Sequence, residues 1–187
     1  SFVHVGKVAN EAARILRQTG HDERTAELAA IAGYLHDIGN IVNRKGHEQS
    51  GALMVFTLLA QMGADPDDIA TIVTAIGNHD EGSAMPVSDI SAALILADKS
   101  DVRRSRVRNQ ETIAFDIHDR VNYAVVDTRM SVLAEEKEIQ LRLTIDSAVS
   151  NISEYFEIFL TRMLLCRRAA EKLGHSFALF INGQKMM

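Results

Sequence analysis

The run at residues 28–39, LAAIAGYLHDIG, constrains this chain more than any other stretch. Seven apolar residues and a glycine lead directly into His36 and Asp37. A run of this kind is normally buried, and burying an imidazole beside an ionisable carboxylate costs several kcal/mol unless something compensates. Neutral imidazole and carboxylate are both good ligands for divalent transition metals. We therefore predict that His36 and Asp37 bind a metal ion.

Context separates this pair from the other His-Asp dipeptides. The chain has four of them, at 21–22, 36–37, 79–80 and 118–119. The first lies between Gly20 and a charged stretch, which favours Asp22 as a helix cap. The last precedes Arg120 at a change in hydrophobic pattern, which favours a solvated turn. The pair at 36–37 closes an apolar helix, where burial without a partner is costly.

The first 118 residues are predicted to be helical. Apolar residues recur there at helical spacing, and Gly20 and Gly63 follow predicted helix ends. Asp65-Pro66 is typical of a helix start, as is Ser88 or Asp89. The predicted helices span residues 4–19, 22–35, 47–62, 66–79 and 90–102.

The hydrophobic period changes after about residue 118. Ile139, Leu141, Leu143 and Ile145 alternate with polar residues, which predicts a half-buried strand. Further strands are predicted over 123–133 and 177–181, with a long amphipathic helix between residue 152 and Gly174. The result is a mostly α protein with a small C-terminal α+β unit (strand–strand–helix–strand) over 119–187, packed on the helical domain over 1–118. The edges of this three-stranded sheet could pair with a second subunit, so a homodimer is an open prediction.

A metal ion needs three or four ligands, which must here come from different helices. Taken alone, each candidate has an ordinary alternative, such as a surface residue, a helix start or a helix end. Together they form a mixed nitrogen and oxygen set suited to Mn, Fe, Ni, Mg or Zn. The predicted ligands are His4, His36, Asp37 and Asp98 for one ion, with His47 and His79 for a second.

These residues resemble the motifs of the HD superfamily of metal-dependent phosphohydrolases, whose pattern is His … His-Asp … Asp on a helical core. His4, His36-Asp37 and Asp98 match it in order and spacing, and YLHDIG and LILADKSD are close to its motifs. The resemblance covers roughly residues 1–110. Two-metal branches, such as the HD-GYP phosphodiesterases and the diadenosine tetraphosphate hydrolases, add two histidines that His47 and His79 resemble.

The resemblance implies one or two divalent metal ions and hydrolysis of a phosphoester or phosphoanhydride bond of a small, nucleotide-like substrate. We expect a metal-activated water to attack phosphorus, because a bound divalent ion lowers the pKa of water towards 7. Asp37 is expected to hold that water as well as a metal ion. Lys99 and Arg103 are predicted to bind the negatively charged phosphate group of the substrate.

Two departures from the family pattern bear on function. Many members have a lysine where this chain has Asn40, so Arg44, Lys45 or Lys99 would have to supply that phosphate contact. The GYP sequence is also missing, which makes cyclic di-GMP a disfavoured substrate. The loss at Asn40 supports an alternative, a catalytically inactive metal-containing regulatory or ligand-binding module.

Composition argues against a nucleic-acid-binding, a disulfide-bonded or a membrane-spanning protein. The formal charge of −5 argues against nucleic acid as the leading partner, although four arginines at 103, 104, 106 and 108 leave that reading open. Cys166 is the single cysteine, so no intrachain disulfide can form and a reducing, cytoplasmic location is expected. The longest apolar stretch, 52–60, is too short to span a membrane, and no signal peptide is recognisable. Ser1 in place of methionine leaves open whether residues precede it.

Overall fold

The computed structural model describes residues 2–82, 84–102 and 116–187. The chain divides into two compact units, Ser1–Asp98 and Lys99–Met187. The described residues contain seven α-helices and four strands, so the prediction of a mostly α protein with a C-terminal sheet is confirmed.

The first unit is helical. Its helices lie close to the predicted bounds, and a short 3-10 helix, Ile38–Ile41, follows the second of them. The α-helices are α1 Phe2–Gln18, α2 Glu23–Leu35, α3 His47–Gln61, α4 Pro66–Gly77 and α5 Asp89–Ser100, the last of which ends just beyond the boundary of the unit.

Local chemistry explains where these helices begin and end. The Asp22 carboxylate accepts a hydrogen bond from the Thr25 amide at 2.7 Å, which confirms it as the cap of α2. Asp65 caps α4 in the same way, with Pro66 in the first turn, where its missing N–H costs nothing. Gly63, at a φ of +73°, reverses the chain after α3 in a conformation that favours glycine.

Two glycines allow close packing around the His36-Asp37 segment. A Cβ placed on Gly33 of α2 would lie 2.8 Å from Ala9 Cα of α1, so the two helices pack backbone to backbone there. A Cβ on Gly39 would lie 2.0 Å from the carbonyl oxygen of His47 and 2.6 Å from the amide nitrogen of Gly51. These two approaches hold α1 and α3 against the segment that carries His36 and Asp37.

The second unit contains a sheet covered by a long helix. Strand order is β1-β2-β3-β4, with β1–β2 and β3–β4 antiparallel and β2–β3 parallel. The parallel pair is joined through α7, which is the usual connection between parallel strands. The elements are α6 Ile117–Ala124, β1 Val125–Leu133, β2 Glu138–Ile145, α7 Ile152–Lys172, β3 Ser176–Ile181 and β4 Gln184–Lys185.

Three details of the C-terminal prediction were wrong. His118 and Asp119 lie in the first turn of α6, where their amides donate to the Asp116 carboxylate, and not in a turn. The first strand begins at Val125, because Tyr123 still belongs to α6. A fourth strand, β4, pairs with β3 after a tight turn, so the sheet has four strands among the described residues and not three. Elements this short carry little periodic signal.

Candidate metal centre

The structure brings together the six residues predicted as metal ligands. All lie in the first unit, at or near helix ends, and all are buried except the partly exposed Asp37. His4 is on α1, His36 and Asp37 directly follow α2, His47 begins α3, His79 follows α4 and Asp98 is on α5.

His4, His36 and Asp98 form one half of this cluster. Asp98 Oδ1 lies 3.2 Å from His4 Nε2 and 3.6 Å from His36 Nε2. The two imidazole rings meet edge to face, with their centroids 5.3 Å apart. Each residue therefore offers one donor atom within 4.8 Å of the other two, a spacing that can hold a metal ion.

Asp37, His47 and His79 form the other half. His47 Nε2 lies 3.2 Å from His79 Nε2 and 3.4 Å from Asp37 Oδ1. The other oxygen of the same carboxylate, Oδ2, lies 3.7 Å from His36 Nε2 and 3.8 Å from His4 Nε2. Asp37 thus faces both halves of the cluster, one oxygen toward each.

Backbone carbonyl groups determine which nitrogen of three histidines faces the cluster. His36 Nδ1 donates to Gly33 O at 2.7 Å, and His79 Nδ1 donates to Ile76 O at 2.6 Å. His47 Nδ1 donates to the carbonyl oxygen three residues before it at 3.0 Å. A carbonyl oxygen can only accept, so Nδ1 carries the proton in each ring and the neutral ring presents the Nε2 lone pair. A second hydrogen bond of this kind is typical of metal-ligating histidines.

Those lone pairs face other electron-rich atoms. His36 Nε2 is fully buried, has no hydrogen-bond partner within the described ranges and faces the carboxylates of Asp37 and Asp98. His47 Nε2 and His79 Nε2 face each other at 3.2 Å. Lone pairs placed this way repel unless a proton or a metal cation lies between them. Two carboxylates and four imidazoles are a donor set that divalent transition metals accept, so the residues present fit such ions.

The charge balance of the cluster keeps Asp37 ionised. Burial raises the pKa of this carboxyl, as does the negative charge of Asp98, whereas His36, His4 and Arg44 lower it. The attraction to the positive charges outweighs the other effects, so the pKa of Asp37 lies below its usual value of 3.8. An ionised carboxylate is the form that binds a metal ion.

Two residues on the segment after Asp37 contact its carboxylate. Asn40 Nδ2 donates to Asp37 Oδ1 at 2.7 Å, and to the Asp37 carbonyl oxygen at 3.0 Å. Arg44 Nη1 lies 3.6 Å from the same Oδ1. Asn40 therefore orients the carboxylate that faces both halves of the cluster.

Glu48 and Asp80 were missed in the sequence. With His47 they form a group whose donor atoms all lie within 4.8 Å of one another, as do His36, Asp37 and His79. Glu48 is buried, and its Oε2 lies 3.4 Å from His47 Nδ1. Both residues directly follow a predicted ligand histidine, which was the available signal. An Asp or Glu next to a helical histidine normally points elsewhere, so adjacency alone does not predict proximity.

The structure does not test the two predicted phosphate-binding residues. Lys99 is buried on α5 next to Asp98 and begins the second compact unit. Arg103 and the other arginines up to 108 belong to residues 103–115, which the structure does not describe. Their catalytic roles stay predictions.

Of three comparisons with known proteins, one identifies a family. No curated protein and no solved structure matches the chain. No helix within the described residues is long and apolar enough to cross a membrane. The family model described as "HD domain" matches residues 2–123, which is more than half of the chain and includes all six cluster residues. The chain therefore belongs to the HD-domain family.

Proposed function

We propose that the protein hydrolyses a phosphoester or phosphoanhydride bond of a small, nucleotide-like substrate, with two divalent metal ions held by the six-residue cluster. The observation that carries this proposal is the position of Asp37, whose two carboxylate oxygens face different sets of histidines. A carboxylate that faces two sets of histidines could ligate an ion in each, and paired divalent ions are a common catalyst of phosphoryl transfer.

Family membership supports the class of reaction. HD domains bind divalent metals, and their family consists of metal-dependent phosphohydrolases. When bound, such ions lower the pKa of a coordinated water and stabilise negative charge on phosphoryl oxygens. The choice of a nucleotide as substrate follows from the resemblance to two-metal branches of the family.

Each cluster residue has a role in the proposal. His4, His36 and Asp98 would hold one ion, and His47 and His79 would hold the other. Asp37 would ligate both and, as an ionised carboxylate, accept a hydrogen bond from the attacking water. The Asn40 amide keeps this carboxylate in place through its 2.7 Å hydrogen bond.

We also propose roles for two cations beyond the cluster. Lys99 directly follows the ligand Asp98, and Arg103 follows a few residues later in the chain. A positive charge from either would offset the phosphate charge of the substrate. Substitution of each by glutamine should raise KM more than it lowers kcat, if their contribution is to substrate binding.

A screen of phosphate esters tests the proposed function. The purified protein would be stripped of metal, reloaded with Mn²⁺, Fe²⁺ or Mg²⁺, and incubated with nucleoside mono-, di- and triphosphates, dinucleoside polyphosphates and cyclic nucleotides. We expect release of phosphate or nucleotide from at least one class, and its loss in Asp37→Ala. Absence of turnover on every ester by a protein that binds two metal ions would contradict the proposal.

One observation favours a second candidate, a metal-containing regulatory or ligand-binding module without turnover. Asn40 stands where many family members carry a lysine, and it hydrogen-bonds to Asp37. The same screen separates the two functions when nucleotide binding is measured alongside hydrolysis. Tight binding of a nucleotide with no hydrolysis would identify the module.

A further inference from the structure

Arg44 is a cation that lies against the half of the cluster containing His47. It is on the turn between the 3-10 helix and α3, and its side chain is 71% exposed. Its Nη1 lies 3.3 Å from His47 Nε2 and 3.6 Å from Asp37 Oδ1, while Nη2 lies 3.9 Å from Asp80 Oδ1. The guanidinium therefore contacts two of the atoms assigned above to a metal ion.

The contact of Arg44 with His47 Nε2 excludes a metal ion from the same nitrogen. A guanidinium has donors and no acceptor, and it stays protonated under all ordinary conditions. Its N–H group at His47 Nε2 donates to the lone pair that a metal ion would take. One lone pair cannot serve both cations, and a guanidinium held close to a divalent ion is repelled by it. Arg44 and a metal ion at His47 must therefore compete.

The main chain lets the side chain move without disturbing the site. The Arg44 carbonyl oxygen accepts the hydrogen bond from His47 Nδ1 at 3.0 Å, so the backbone of this residue orients the ligand histidine. The side chain beyond it is mostly exposed. A rotation about side-chain bonds would take the guanidinium off His47 while leaving that hydrogen bond intact.

We propose that Arg44 is a substrate-binding cation of this site, in addition to Lys99 and Arg103, and that it competes with the metal ion at His47 and His79. Once displaced from His47 Nε2, the guanidinium stays at the exposed edge of the cluster, where its planar fork of donors matches a phosphate group. This inference rests on the proposed function, because it names the phosphate contact of that same site. It assigns to Arg44 the charge that the asparagine at position 40 does not supply.

The adjacent lysine provides a matched control. Lys45 is also exposed and carries the same charge on the same turn. Lys45→Gln removes the same formal charge from the adjacent position but not the contacts that Arg44 makes with His47 and Asp37. An effect seen in Arg44→Gln and not in Lys45→Gln therefore reports the specific contact of the guanidinium.

Metal binding tests the competition. Isothermal titration of metal-stripped protein with Mn²⁺ should give a weaker and a tighter site in the wild type. In Arg44→Gln the weaker site should tighten by about threefold or more, since a competing cation is gone, whereas Lys45→Gln should match the wild type. An unchanged affinity in Arg44→Gln, with folding verified by circular dichroism, would overturn the proposal.

Phosphate binding tests the substrate contact. Inorganic phosphate would be titrated into each protein at saturating Mn²⁺. Loss of a charge-assisted bidentate contact should weaken phosphate binding in Arg44→Gln by about tenfold or more. Arg44→Lys should recover part of it, because a point charge remains without the fork. Equal phosphate affinity in Arg44→Gln and wild type would overturn the proposal.

The outcome for Arg44 is distinguishable from the outcome for the proposed function. A wild type that binds Mn²⁺ and phosphate, shows both Arg44→Gln effects and hydrolyses no ester would support the inference while contradicting the hydrolase. A wild type that hydrolyses a phosphate ester, together with an Arg44→Gln variant that retains wild-type phosphate affinity, would overturn the inference alone.

Discussion

The two units of this protein both bury apolar side chains but differ in the polar groups that they bury with them. In the first, α-helices end in buried imidazoles and carboxylates, including His36, His79 and Asp98. In the sheet of the second, buried positions are aliphatic and follow the alternation of β2, as at Ile139 and Leu141. Buried polar groups weaken a fold unless they are paired, whereas buried aliphatic side chains stabilise it. The first unit therefore carries a stability cost that a structural role does not explain.

The two units also differ in net charge, and the first is the acidic one. Residues 1–98 contain six basic and thirteen acidic residues, whereas residues 99–187 contain fourteen and twelve. Three of the basic side chains in the first unit, Arg14, Arg17 and Arg24, form ion pairs with acidic neighbours. An acidic unit with imidazoles at its centre favours binding of divalent cations. The contrast supports the proposal that the first unit holds the metal ions.

The largest expected effect is on Asp37. Asp37→Ala removes the carboxylate that faces both halves of the cluster, and we expect hydrolysis to fall by at least about a thousandfold, roughly 4 kcal/mol of transition-state stabilisation. Steady-state rates on the best substrate from the screen provide the measurement. Asp127→Ala, at an exposed position of β1 in the second unit, is the control and should keep the wild-type rate. Comparable rates in both variants would remove the functional contrast between the units.

A backbone clash should produce the largest effect on stability. Gly39→Ala places a Cβ 2.0 Å from the His47 carbonyl oxygen, far inside van der Waals contact, and backbone cannot yield as a flexible side chain does. We expect a loss of about 4 kcal/mol or more in the free energy of unfolding, measured with urea.

Gly6→Ala is the control for that substitution. Gly6 lies within α1 with open space around its Cβ direction, so alanine should stabilise the helix by about 0.5–1 kcal/mol. If Gly39→Ala were as stable as Gly6→Ala, the close packing of α3 on the His36-Asp37 segment would be wrong.

Truncating the core of the second unit should affect stability without affecting the metal. Leu141 is fully buried in β2, and Leu141→Ala should cost about 2–5 kcal/mol because it removes apolar contacts and leaves a cavity. Under conditions where the variant remains folded, its Mn²⁺ stoichiometry should equal that of the wild type. Loss of Mn²⁺ in a folded Leu141→Ala protein would contradict the division of roles between the units.

The smallest effect concerns the start of α7. Hydrogen bonds from Arg120 and Ser150 lower the pKa of Glu154 to about 2, against a usual value near 4.5. A carboxyl with a lowered folded-state pKa stabilises the fold above its unfolded pKa, and this contribution is lost as pH falls from about 4.5 towards 2. Urea unfolding should therefore show a smaller loss of stability between pH 5 and 3 in Glu154→Gln than in wild type. Glu171→Gln, at an exposed site of α7, should retain the wild-type pH dependence.

The sequence predicted the helical unit well because its signals are local. Asp22, Asp65 and Gly63 determine helix ends through capping and a positive φ, which residue type alone indicates. The six proposed ligands were recognisable only as a set, because their order and spacing resemble the HD-superfamily pattern. Taken alone, each had an ordinary alternative as a surface residue or a helix end.

The remaining features depend on geometry that the sequence does not encode locally. Whether Glu48 points at His47 depends on the first turn of α3, and whether Asn40 reaches Asp37 depends on a 3-10 helix that periodicity does not predict. Helix α6 has eight residues, too few for a clear hydrophobic pattern. Strand β4 has two, and it forms only because the turn after β3 returns the chain to the sheet edge.

Metal stoichiometry tests the central claim most directly. Equilibrium dialysis against Mn²⁺ followed by elemental analysis would compare wild type, His79→Ala and His118→Ala, the last at an exposed histidine of the second unit. The two-metal centre predicts two ions per chain in wild type and in His118→Ala, and one in His79→Ala. Two ions in His79→Ala, or fewer than two in the wild type, would contradict it.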